Sequence, residues 1–145
     1  MEKVNVLFLC TGNSCRSQMA EAFVRKYSRD SIAVYSAGLE PRPVHEMAIE
    51  VMKEVGVDIS GQQSKPISEF LGKIDFRYVI FVCEKAEQDC PYVYPHVLHR
   101  LSWPFDDPAK AQGSREVRLA AFRNARDAIE KKIKEWLPTV DAVNQ

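Results

Sequence analysis

Cys10 and Arg16 stand with five residues between them in the stretch VNVLFLCTGNSCRS, residues 4–17, and this pair can do chemistry on an oxyanion. A thiolate is a strong nucleophile, and a helix N-terminus or a neighbouring cation favours it over the thiol. Arg16 carries a planar fork able to hold two oxygens of a tetrahedral oxyanion at once. The hydroxyl of Ser14 or Ser17 can add a hydrogen bond to the sulfur. The loop Thr11, Gly12, Asn13, Ser14, Cys15, Arg16 and Ser17 is therefore expected to cradle the oxyanion. Cys83 and Cys90 are further candidate thiols, and an acid to protonate a leaving oxygen would serve such a site. The cysteine spacings, C-x4-C and C-x6-C, are not those of zinc fingers or ribbons, so no metal and no cofactor is expected. His45, His96 and His99 have no partner visible in the sequence.

The elements that must position these residues follow from the pattern. Val4, Val6, Leu7, Phe8 and Leu9 form an apolar run ending at Cys10. It is too apolar for a strand with one wet face and reads as a central strand buried on both faces. Gly12 and Asn13, both tolerant of positive φ, make the loop, and a helix is expected from about Arg16 to Ser28. The loop then lies at a strand's carboxyl end, where open α/β sheets bind ligands, and faces a helix N-terminus that favours anions. Residues 31–36 read as a second strand. Ala48, Val51, Met52 and Val55 form a helical stripe that Gly56 caps, and residues 68–71 are compatible with one helical turn. Residues 76–82 form a strong strand ending at Cys83. The six residues before Cys90 fit a loop or a short helix. Residues 97–101 are a weaker strand and 103–108 a turn. A last helix starts at Gly113 or Ser114, carries the stripe Phe122, Ala125, Ile129, Ile133 and Trp136, and is expected to end at Pro138.

Strands alternating with helices imply right-handed parallel crossovers, hence a four-stranded parallel sheet with helices on both faces. The 145 residues make one domain, 1–138, with a tail at 139–145. Lysines plus arginines equal aspartates plus glutamates at twenty each, which argues against a nucleic-acid partner held by bulk charge. No apolar run approaches a membrane span, and the N-terminus has no secretory apolar segment. A cytoplasmic monomer is expected. In a reducing compartment four cysteines point to catalysis or redox work rather than structural disulfides.

The stretch CTGNSCRSQMAEAF resembles the active-site loop and first helix of the low-molecular-weight tyrosine phosphatase fold. It is more similar still to the thioredoxin-coupled arsenate reductases on that fold. Both branches share the C-x5-R-S frame from Cys10 to Ser17. Gln18 follows the serine as in the reductases, where phosphatases usually have proline. The resemblance runs from Val4 to about Trp136 and implies a sheet of strand order 2-1-3-4.

The resemblance also implies roles. Cys10 attacks arsenate, Cys83 attacks Cys10 and releases arsenite, and Cys90 moves the disulfide to a Cys83–Cys90 bond that thioredoxin opens. Asp107, just before Pro108, is similar to the general acid of both branches, which leaves Asp106 as a turn or capping residue. The alternative is a phosphatase using Cys10, Arg16 and Asp107 alone. Against it, the aromatic pair that many phosphatases carry after Asp-Pro is Ala109-Lys110 here. Some reductases hold a monovalent cation with an Asn, a Glu, a Ser and an Asp. Asn13, Glu21 and Ser36 match the first three, while the fourth position is Lys65, whose ammonium can take the cation's place.

Overall fold

The computed structural model describes residues 3–28, 30–70, 72–89, 97 and 99–143. Its elements are β1 Val4–Cys10, α1 Arg16–Tyr27, β2 Ile32–Gly38, α2 Glu46–Glu54, β3 Tyr78–Phe81, α3 Glu84–Asp89, β4 His99–Ser102 and α4 Arg115–Val143. Short 3-10 turns occupy Ile67–Glu69 and Pro108–Lys110. All neighbouring strands are parallel, in the order β2-β1-β3-β4.

Strand β1 lies between β2 and β3, and its apolar side chains from Val6 to Leu9 have no exposed surface. Side chains alternate between the faces of a sheet, so Phe8 and Leu7 point opposite ways. On the Phe8 face, Trp103 and Trp136 of α4 meet its ring at 6.0 and 6.4 Å. Tyr78, whose register partner Val6 shares the face of Phe8, also packs on Trp136. On the other face, Tyr35 lies opposite Leu7 and meets Phe70 and Phe76 at 5.2 and 5.4 Å. Apolar cover on both sides of β1 explains its unbroken hydrophobic run.

Strand β4 runs from His99 to Ser102 rather than over 97–101, and three further boundaries differ from the sequence reading. Strand β2 continues through Ala37 and Gly38, because both pair with the end of β1. Strand β3 is shorter and starts at Tyr78, where pairing to Val6 begins. Helix α4 does not end at Pro138; the proline lies inside it and the helix reaches Val143. A proline in a helix interior costs about 3 kcal/mol. Here burial of Leu137 and of Val140, which has no exposed surface, offsets that loss. Thr139 Oγ1 also donates to the Trp136 carbonyl at 2.6 Å. No helix among the described residues is long and apolar enough to cross a membrane.

Candidate active site

The loop after β1 curls around the Cys10 sulfur. The Asn13 amide donates to Cys10 Sγ at 3.1 Å, and Ser17 Oγ lies 3.0 Å from it. Of the two hydroxyls proposed from sequence, Ser17 is the one at the sulfur. Asn13 Nδ2 donates to that same Ser17 oxygen at 2.8 Å. When Cys10 is a thiolate, Ser17 is the donor to it. Of the two loop residues tolerant of positive φ, Asn13 uses it, at 50°.

The carbonyls of the loop are tied from outside. The segment after β2 runs alongside the loop. The amides of Leu39, Glu40, Arg42 and His45 donate to the carbonyls of Cys10, Thr11, Gly12 and Ser14, at 3.3, 2.8, 2.9 and 2.9 Å. The Asn13 carbonyl accepts from Gln18 Nε2 and Ser64 Oγ. Gly38 permits this close approach: a Cβ there would stand 2.8 Å from both Asn13 N and Thr11 O. Successive amides of a turn whose carbonyls are held from the other side are the kind of concavity that suits an anion.

Arg16 closes the cradle. Its Nη1 donates to the Phe105 carbonyl at 3.0 Å, and its Nη2 lies 3.6 Å from Asp107 Oδ2. Its Nε is buried and has no hydrogen-bond partner among the described residues, so this donor is open to a ligand. Asp107 also caps the 3-10 turn after it, Oδ1 accepting from the Ala109 amide at 3.0 Å. The capping role expected of Asp106 therefore falls to Asp107. Cys10, Arg16, Cys83, Asp106 and Asp107 line one cleft of about 1060 Å³, with Arg42, Lys85 and Lys110 also in its walls.

Cys83 is buried, with Thr11 Oγ1 3.5 Å from its sulfur and the Ala86 amide donating to it at 3.4 Å. Cys90 and His96 lie outside the described residues. Cys15, at the N-cap of α1, is a different kind of thiol. Burial, then the negative charges of Cys10 and Asp107, push it up to about 12 against the pull of Arg16. It remains protonated and is no second nucleophile. Its contribution to the cradle is its place in the backbone.

His45 has a structural part that the sequence did not reveal. Its Nδ1 accepts from the Met47 amide and caps α2, and its ring packs 4.7 Å from that of Phe122. Burial, and then Arg118, hold its pKa down, which keeps the imidazole neutral and able to accept. His99 stacks on Tyr78 at 4.5 Å. Lys65 lies behind the loop. Its amide donates to Asn13 Oδ1, and its Nζ is 2.6 Å from the Gln63 carbonyl and 3.9 Å from Glu21 Oε1. That same Glu21 oxygen accepts from Ser36 Oγ at 2.6 Å.

Known proteins resemble this chain over nearly its whole length. An arsenate reductase of Bacillus subtilis is 47% identical over 140 residues, spanning 96% of this chain and 99% of that one. A solved arsenate reductase in its oxidised state superposes with a TM-score of 0.80 at 34% identity, covering 94% of this chain and 98% of that one. A thioredoxin-dependent arsenate reductase of Corynebacterium glutamicum matches at 27% identity with a TM-score of 0.73, covering 99% of this chain and 64% of that longer one. The model of the low molecular weight phosphotyrosine protein phosphatases matches residues 5–145. With the C-x5-R loop, the four-stranded parallel sheet and these relatives in agreement, the chain belongs to the low molecular weight phosphotyrosine protein phosphatase family.

Proposed function

We propose that the protein reduces arsenate to arsenite by a three-cysteine relay, acting as a cytoplasmic monomer with thioredoxin as electron donor. The observation that carries this reading is the second thiol, Cys83, in the wall of the cleft that holds Cys10, Arg16 and Asp107. A hydrolase has no need of it. The identity to proteins named arsenate reductase supports the same choice.

In this reading the loop amides and Arg16 bind the arsenate oxygens. The Cys10 thiolate attacks arsenic, and one oxygen leaves as water, protonated by Asp107. The Cys83 thiolate then attacks the Cys10 sulfur. The Cys10–arsenic bond breaks, its electron pair reduces arsenic, and arsenite departs from a Cys10–Cys83 disulfide. The Cys90 thiolate attacks the Cys83 sulfur and frees Cys10. A thioredoxin dithiol reduces the Cys83–Cys90 disulfide. Each exchange needs a thiolate in line with a sulfur, so residues 83–90 must move.

The test is arsenate-dependent NADPH oxidation in the presence of thioredoxin and its reductase. Steady consumption, with arsenite formed one for one, is expected. A second reading, hydrolysis of phosphate monoesters, is favoured by the fact that Cys10, Arg16 and Asp107 suffice for it. Para-nitrophenyl phosphate turnover without any arsenate-dependent oxidation would put that reading first.

A further inference from the structure

Gln18, on the first turn of α1, has a polar side chain with no exposed surface. A buried amide is costly unless its groups are bonded, so its partners indicate its use. Its Nε2 donates to the Asn13 carbonyl at 3.0 Å and to the Gln63 carbonyl at 2.9 Å. Its Oε1 accepts from Gln62 Nε2 at 2.7 Å. The next two residues continue the clamp. Ser64 Oγ donates to the same Asn13 carbonyl at 2.7 Å, and the Lys65 amide donates to Asn13 Oδ1 at 2.8 Å. Four consecutive residues, 62–65, thus fasten to Gln18 or to Asn13.

Asn13 needs fastening. It is a non-glycine residue at a φ of 50°, a left-handed conformation that Asn tolerates better than most side chains but that its surroundings must hold. In this conformation its amide points at Cys10 Sγ and its Nδ2 supports Ser17. Loss of one of its two side-chain donors loosens the peptide plane after Asn13 and lets the residue relax, which withdraws its amide from the sulfur and its Nδ2 from Ser17.

We propose that Gln18 is a positioning residue for the Cys10 nucleophile. By holding the Asn13 carbonyl it keeps Asn13 left-handed, and through Asn13 it keeps the amide and the Ser17 hydroxyl on the thiolate. Gln18 is not among the residues lining the cleft; its effect on chemistry runs through Asn13. The inference rests on Cys10 being the nucleophile of the proposed reaction, whichever oxyanion it attacks.

The experiment is the pH dependence of Cys10 alkylation by iodoacetamide in the full-length protein, with the modified cysteine identified by mass spectrometry. In Gln18→Leu the midpoint moves upward by about half a pH unit, roughly a threefold loss of thiolate below the midpoint. Ser64→Ala, which removes the other side-chain donor to that carbonyl, moves it the same way. Tyr27→Phe is the structural control. It deletes a 2.6 Å bond to Glu130 on α4, lowers the urea midpoint and leaves the Cys10 profile in place. A Gln18→Leu protein that loses stability yet keeps the parent profile overturns the proposal. If Gln18→Leu does not fold, an unmoved profile in Ser64→Ala overturns it. A parent that fails to reduce arsenate while Gln18→Leu still shifts the profile removes the reductase reading alone. A parent that reduces arsenate with an unmoved Gln18→Leu profile removes this proposal alone.

Discussion

Cys10 and Cys83 follow the same structural rule. Each is a buried thiol at the carboxyl end of a parallel strand, and β1 and β3 are neighbours in the sheet. Their surroundings nevertheless differ. Cys10 has contacts of 3.1 and 3.0 Å from an amide and a hydroxyl, in a loop fastened from outside at five carbonyls in a row and followed by a helix of twelve residues. Cys83 has contacts of 3.5 and 3.4 Å and is followed directly by a helix of six. The end of a strand supplies a location, and the chain after it supplies the chemistry. In the proposed reaction the first thiol is the one that receives the ligand. The second is held loosely, as the proposed relay requires of a group that must travel.

The widest separation between the two thiols comes from removing the second. In Cys83→Ser, single-turnover arsenite release falls to background, because nothing remains to attack the Cys10 adduct. Hydrolysis of para-nitrophenyl phosphate continues. Cys90→Ser gives about one turnover and then stalls as a Cys10–Cys83 disulfide, visible by mass spectrometry. Thioredoxin-coupled turnover by either variant near the parent rate breaks the division of labour.

Next in size is Arg16→Lys, which keeps the charge and loses the fork. We expect kcat/KM for arsenate and for para-nitrophenyl phosphate to fall together by about 10²–10³, as on removal of one oxyanion donor. Near-parent kinetics would place the cradle elsewhere.

A smaller effect tests how tightly the Cys10 loop is packed. Gly38→Ala puts a Cβ 2.8 Å from two backbone atoms of that loop and should cost about 1–3 kcal/mol in urea unfolding. Gly61→Ala, with nothing within 4 Å of its Cβ, should be neutral or slightly stabilising. Equal results at the two sites contradict the tight loop.

The smallest effect concerns Lys65, which lies behind the Cys10 loop against Glu21. With its ammonium there, exchanging sodium for potassium at constant ionic strength should leave activity unchanged. A clear rise in potassium shows that a free cation still finds a place.

What the sequence revealed and what it hid divide along chain distance. Cys10, Arg16, Ser17 and the buried strand before them were legible because all lie within a few residues, and the apolar run fixes their setting. The sheet was legible because strands and helices alternate. Asp107 was recognised only through resemblance, since its approach to Arg16 depends on how β4 ends. Gln18 stood out only as the residue where the phosphatases usually have proline, and its contacts were not legible. Its partner Gln63 is 45 positions away, and no local pattern announces that contact. Gly38 looked like the end of a strand rather than the point where β2 lets the next segment reach the loop. Pro138 misled because a local breaker was weighed without the buried Val140 beyond it.

The way the loop is held also has a consequence for folding. Its carbonyls and side chains are fixed by residues 39–45 and 62–65, and Arg16 by the backbone at Phe105. The reactive thiol belongs to the first strand, yet its anion site is assembled from four separate stretches of chain. Contacts of such sequence separation form late and slow the search for the native state. A chain growing from its N-terminus carries Cys10 early and acquires its supports last. Until residues past Phe105 have docked, that cysteine has the reactivity of an ordinary thiol. Rapid alkylation of Cys10 during refolding would therefore serve as a clock for completion of the fold rather than for formation of its first strand.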